Sequence, residues 1–264
     1  MDFRALNSVV LHVEDLGPED RPALVFVNSL GTDFRIWDDV VVRLIERFRI
    51  VLYDKRGHGL SEEAEFPYSL DDHVDDLAAL LDDLEIGTAI ICGLSVGGLI
   101  AQGLAAARPE LVAGLILCDT AHKIGTAEMW DQRMAAIDEG GIESIADAVL
   151  ERWFTEEFRE SDPIAMQGWY NMLTRTPEVG YLGTCAVLRD SDLTEQAKAI
   201  AVPTLCVVGE EDGATPPELV RAMADLIPGA GYEVIAGAGH LPCIEQPEVL
   251  AELILDFTEG KGLV

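Results

Sequence analysis

The 264-residue sequence predicts an α/β fold: a mostly parallel central sheet with helices on both faces and a helical cap inserted before the last two strands. Three observations predict it. Short apolar runs alternate with amphipathic segments of helical period, as they do when both faces of a parallel sheet are covered. The strand rhythm then stops from about residue 121 to 197, where aromatic- and Met-rich helical patterns replace it, and resumes for two final strands. Finally Gly93-Leu94-Ser95-Val96-Gly97, a G-x-S-x-G, lies where a buried strand passes into a helix. The organisation read from this is a core of residues 1–120 and 198–264 with a cap of residues 121–197.

Taken in order, residues 9–13 alternate as an edge strand and 23–27 are apolar throughout, as a buried strand is. A polar loop, Asn28-Ser29-Leu30-Gly31-Thr32, precedes an amphipathic helix around 36–48, and 49–53 is the next strand. Ser69 with Asp72 three residues on forms a capping box. It opens a helix whose Val74, Leu77, Leu80, Leu81 and Leu84 recur at helical spacing above a solvated face of Asp residues. Residues 88–92 are the strand before Ser95, and 114–118 the next. In the cap, Trp130, Met134 and Ile137, then Ile145, Val149 and Leu150, then Trp169, Met172 and Leu173 repeat with helical period. Strands follow at 204–208 and 232–235, with helices near 217–226 and 247–257.

The formal net charge of −30 argues against nucleic acid and anionic membranes as partners. It also requires that a pocket for an anionic substrate supply its own cation. Cations are mostly Arg, fourteen against four Lys. No apolar leader follows Met1, and no apolar run approaches the length of a bilayer span. The five cysteines form no C-x-x-C. Cys92, Cys118 and Cys206 sit in or at the ends of apolar strands, so buried thiols and a cytoplasmic location are expected, with no metal site.

The chemistry centres on Ser95. A sharp strand-to-helix turn needs residues without side chains two before and two after the turning residue, and it lifts that hydroxyl to a helix N-terminus. G-x-S-x-G also arises by chance in Gly-rich chains, so a base, an acid and an oxyanion hole must accompany it. A dinucleotide loop would need glycine where Ser95 stands. Of five histidines, His12, His58, His73 and His122 read as strand, turn, helix and cap residues. His240 instead follows the last strand in a Gly-rich loop, where it can take the Ser95 proton. Asp212, directly after the penultimate strand, completes the order serine, acid, histidine. Asp119, after the strand ending at Cys118, is a rival acid. The backbone N–H of Val96 and of Leu30 are the expected oxyanion donors. Together these residues point to an α/β-hydrolase fold.

At this level the chain resembles the 3-oxoadipate enol-lactonases (β-ketoadipate enol-lactone hydrolases) of bacterial aromatic catabolism, nearly end to end. The resemblance rests on Asn28-Ser29-Leu30-Gly31-Thr32-Asp33 with Trp37, Tyr53-Asp54-Lys55-Arg56-Gly57-His58-Gly59, and the segment around Ser95. In the cap it rests on residues 119–126 with Trp130 and Arg133, 151–155 and 186–193, and near the end on His240-Leu241-Pro242 with Glu245-Gln246-Pro247. The cap motifs are the specific ones. Asp119 and His122 depart from the pattern, where an uncharged residue and an alanine would be expected.

The resemblance implies a small anionic lactone as substrate and an acyl-enzyme route from Ser95, with no cofactor. It also implies substrate binding by Trp130 and Arg133, three residues apart and able to share a helix face. Arg189 and Lys123 are weaker candidates for holding the carboxylate. Two enzymatic alternatives use the same triad, a general carboxylesterase and a cofactor-free perhydrolase; a lactone-sensing receptor is the non-enzymatic one. The oligomeric state, a homo-oligomer included, is left open, as is whether the acidity marks salt adaptation.

Overall fold

The computed structural model describes residues 1–264. Eight strands form one sheet: β1 (Asp2–Leu6), β2 (Val9–Leu16), β3 (Ala23–Val27), β4 (Arg49–Tyr53), β5 (Ala89–Leu94), β6 (Val112–Cys118), β7 (Thr204–Gly209) and β8 (Gly231–Ile235). Their order is β1-β2-β4-β3-β5-β6-β7-β8. The first two pairings are antiparallel and the remainder parallel. Strand β1 is not among the expected elements, and residues 9–13 are therefore the second strand rather than the edge. The two are joined by a two-residue turn in which Asn7 and Ser8 both have positive φ, 44° and 67°, the conformation of tight hairpins usually signalled by Gly. Its mostly exposed side chains leave β1 with little hydrophobic pattern to detect.

Helices α1 (Asp38–Leu44), α2 (Leu70–Asp83), α3 (Val96–Ala107), α10 (Pro217–Leu226), α11 (Pro242–Glu245) and α12 (Pro247–Gly260) surround the sheet. The period-2 alternation of the central strands sorts the interior into two clusters. Leu24, Phe26, Ile50, Leu52, Ile90, Cys92 and Ile116 face α1 and α12. Val25, Val27, Val51, Tyr53, Ile91, Leu115 and Leu117 face α2, α3 and α10. The capping box is present: Ser69 Oγ accepts from Asp72 N and the Asp72 carboxylate accepts from Ser69 N.

Between β6 and β7 the chain runs through α4 (Ala127–Gly140), α5 (Glu143–Trp153), α6 (Glu156–Ser161), α7 (Pro163–Thr174), α8 (Glu178–Asp190) and α9 (Thr194–Ala199). Trp130, Ile137, Val149, Trp153, Phe154, Leu173 and Tyr181 belong to the same apolar cluster as the first sheet face, so this layer shares its core with that side of the sheet. The last of its helices differs. Helix α9 lies against α3 and α10 and buries Ala197 in the second cluster. The helical segment expected to reach residue 197 in the cap thus ends on the sheet domain.

The turn from β5 into α3 depends on backbone contact. A Cβ on Gly97 would collide with the carbonyl of Val27, and one on Gly93 with the carbonyl of Gly97. Gly97→Ala is expected to destabilise the fold by about 1–3 kcal/mol. Gly168→Ala, in exposed α7 with open space around it, is expected to stabilise it by about 0.5–1 kcal/mol. Denaturant unfolding of the two variants checks both signs.

Candidate active site

Three consecutive strand ends and the loop after β8 bring the polar groups together. Ser95 caps α3 with φ 58° and ψ −119°, a region that costs a residue with a side chain free energy. It is held there from both sides. Ser95 N donates to Cys118 O at 3.0 Å, and Ser95 O accepts from Gly98 N at 2.9 Å and from Thr120 Oγ1 at 2.6 Å. Strand β5 thus delivers the serine, and β6 locks its backbone.

His240 and Asp212 meet directly. The imidazole Nδ1 lies 3.0 and 2.9 Å from the two carboxylate oxygens of Asp212, which leaves Nε2 for Ser95 or substrate. Ser95 Oγ itself makes no hydrogen bond to the ring, and such contacts often close only with substrate present. Asp212 also accepts from Ala214 N at 2.7 Å, Thr215 N at 3.0 Å and Thr215 Oγ1 at 2.6 Å. Burial opposes its ionisation most strongly, but attraction to His240 and these donors outweigh it and hold its pKa below the ordinary value. Asp119 is close by but does not bond the imidazole; its Oδ1 accepts from Gly209 N at 2.8 Å. Of the two acids, the geometry pairs Asp212 with His240.

The loop after β3 is fixed by groups behind it. Asn28 Nδ2 donates to Tyr53 O at 3.1 Å and Trp37 Nε1 to Asn28 Oδ1 at 2.9 Å. Ser29 O accepts from Thr32 Oγ1 at 3.0 Å and from Lys55 Nζ at 2.5 Å. Leu30 N–H has no acceptor within the protein. Val96, as the first residue of α3, has no intrahelical acceptor for its own N–H. Both expected donors are therefore free to receive an oxyanion.

Two supporting residues escaped functional reading from the sequence. Lys55 is fully buried, and burial lowers its pKa to about 7; the sequence showed it only as a cation two residues past an apolar strand, within the motif of residues 53–59. Glu245 accepts from Gly239 N at 2.7 Å, Thr155 N at 3.0 Å and Thr155 Oγ1 at 2.7 Å. Together with the bond from His240 N to Trp153 O at 2.8 Å, this joins the His240 loop to the cap. Burial raises the Glu245 pKa.

In the cap, Trp130 is buried with Nε1 donating to Ile124 O at 2.7 Å. The Arg133 guanidinium carbon lies 4.8 Å from its ring centroid. Arg133 is half-buried and has no ion pair. It neighbours the Tyr181 hydroxyl, whose pKa burial raises and Arg133 partly lowers. The Tyr181 ring in turn packs 3.0 Å from where a Gly31 Cβ would stand, beside the Leu30 donor. Arg189 instead pairs with Asp131 and Asp190, and Lys123 with Asp192, on the surface. The five cysteines are buried and unbonded, Cys92 and Cys118 with sulfurs 4.0 Å apart. No helix is long and apolar enough to cross a membrane. A groove between α7 and the 32–38 segment holds none of the triad candidates.

Residues 24–253 match the model of the alpha/beta hydrolase family. The chain is 35% identical to 3-oxoadipate enol-lactonase 2 of Acinetobacter baylyi over 94% of this chain and 92% of that one. The crystal structure of the enol-lactonase from Burkholderia xenovorans superposes with a TM-score of 0.95 at 35% identity, covering 98% of this chain and 100% of the other. A thermophilic esterase from Thermogutta terrifontis, solved with malate bound, gives a TM-score of 0.90 at 30% identity over 96% and 94% of the two chains. The chain is a hydrolytic enzyme of the α/β-hydrolase family, and within that family it belongs with the 3-oxoadipate enol-lactonases.

The Lys55 pKa gives a pH test. Because it falls from 10.5 to about 7 on folding, the unfolded chain binds more protons between those values, and this group's contribution to stability rises with pH across that window. Lys55→Met should flatten that rise relative to wild type, as measured by denaturant unfolding at about pH 7 and about pH 10.

Proposed function

We propose that this enzyme opens the ring of 3-oxoadipate enol-lactone to give 3-oxoadipate, with Ser95, His240 and Asp212 as catalytic triad and Leu30 and Val96 N–H as oxyanion hole. The observation that carries the substrate class is Arg133. In a chain with 48 acidic residues this half-buried guanidinium has no carboxylate partner. It is stacked on Trp130 and lies against Tyr181, next to the oxyanion loop. An unpaired arginine so placed suits the carboxylate of a small anionic lactone, which it could clamp through two parallel hydrogen bonds. The names of the relatives agree with this reading.

His240 Nε2 takes the Ser95 proton as Oγ attacks the lactone carbonyl, and the new oxyanion is stabilised by the two N–H donors. Asp212 stabilises the imidazolium and holds its tautomer through Nδ1. Collapse of the intermediate breaks the ring C–O bond and releases an enolate, which takes up a proton and becomes the ketone still attached to Ser95 as an acyl ester. A water deprotonated by His240 attacks that ester, and Ser95 recovers its proton as 3-oxoadipate leaves. The protein's own groups supply every step. The five unpaired thiols suit a reducing, cytoplasmic setting.

The malate-bound esterase favours a second reading, a general carboxylesterase on the same residues. Loss of enol-lactone absorbance, followed beside p-nitrophenyl acetate hydrolysis, separates the two. Fast lactone and slow ester turnover, with KM raised about tenfold or more in Arg133→Ala, is the expected result; ester turnover alone would leave a general esterase. Ser95→Ala should abolish both activities with the fold intact. Asp212→Asn should lower kcat by about 10⁴-fold.

A further inference from the structure

Asp119 is a buried group that the mechanism above leaves unused. It is fully inaccessible and sits at the end of β6 with φ 47°. Its carboxylate, that of Asp212 and the imidazole of His240 each contribute an atom to a cluster spanning no more than 4.8 Å. Oδ1 accepts from Gly209 N, the last residue of β7. Oδ2 has no donor. Were Asp119 ionised, Oδ2 would be a buried anionic oxygen with no hydrogen bond beside a second carboxylate, a costly arrangement. With a proton on Oδ2 the same atom becomes a donor, and its neighbour Asp212 is the acceptor.

We propose that Asp119 is an un-ionised positioning residue of the triad, its Oδ2–H donating to Asp212 while Oδ1 accepts from Gly209 N. The site thus holds two carboxyl groups and one negative charge. The ionisable groups around Asp119 come from every element packed on it: Cys118 on its own strand, Asp212 after β7, His240 after β8, and Cys243 on α11. None of the ion pairs of the protein involves Asp119. Burial first, then the Asp212 charge, pushes its pKa well above the carboxylate range, while that of Asp212 falls. This is the segregation expected when two acids share a site. The bridge from Gly209 through Asp119 to Asp212 ties the ends of β6 and β7 together and orients the acid. It also withdraws charge from Asp212, which weakens the attraction of that carboxylate for a protonated imidazole.

The proposal rests on the triad assignment but not on the lactone. The test accordingly uses p-nitrophenyl acetate, so that a wrong substrate leaves it intact. In the acid limb of kcat/KM, Asp119→Ala removes the donor, strengthens the Asp212 charge felt by His240, and should move the limb to higher pH by about half a unit or more. Asp119→Asn keeps one donor and one acceptor, so the limb and rate should stay near wild type. If Asp119 were ionised, both substitutions would delete a negative charge and move the limb to lower pH. A purely packing role would leave the limb in place in both variants. Either result overturns the proposal. Infrared difference spectra of wild type against Asp119→Asn give a readout without turnover. An un-ionised carboxyl C=O band present only in wild type is expected, and its absence refutes the proposal even if Asp119→Ala does not fold.

Discussion

The backbone strain at Ser95 is the constraint from which the rest of the structure follows. A residue with a side chain is held at positive φ, and nothing local would keep it there. The turn persists because Gly97 lies against the Val27 carbonyl, because β6 accepts the Ser95 N–H, and because Thr120 reaches back to the Ser95 carbonyl. These contacts draw β3, β5 and β6 into one arrangement. They also set where the Leu30 loop begins, since that loop leaves β3 immediately after Val27. Over-determination by neighbouring elements is what lets a strained residue survive at a reactive position.

Behind this turn is a second layer of groups whose polar atoms bond to the loops around it. Lys55 and Thr32 hold the Ser29 carbonyl, Asn28 bridges Tyr53 and Trp37, and Glu245 gathers three donors from two segments. Each removes a degree of freedom from a loop that carries a catalytic candidate. This economy matters in a chain of net charge −30. Most arginines are taken up by acids, whereas Arg133 is shielded from them by an aromatic ring and by partial burial.

Much of this was legible in the sequence, and for identifiable reasons. The parallel strands are continuous apolar runs, because both faces are covered, and such runs stand out between amphipathic helices. The G-x-S-x-G, Asp212 and His240 were legible because each follows a strand, so their order along the chain maps onto the row of strand ends β5, β7 and β8. Strand β1 was not legible: its side chains are mostly exposed and its turn uses Asn7-Ser8 rather than glycine. Nor was the attachment of α9 to the sheet side, since one small residue, Ala197, makes that contact. The roles of Lys55 and Glu245 were hidden for a different reason. Charge in a sequence does not reveal burial, and only the fold shows that both heads point inward.

The link between the cap and the His240 loop bears on how such enzymes diversify. Cap helices are where hydrolases of one fold acquire different substrates, and exchanging them is an attractive way to transplant specificity. Here the imidazole is suspended from the cap's own backbone at Trp153, and Glu245 spans from Thr155 to Gly239. A donor cap therefore has to arrive with a carbonyl and a hydroxyl already in register at those two positions, or the recipient loses the contacts that hold the His240 loop. Along this seam, the helices between β6 and β7 and the loop that carries His240 can change only together.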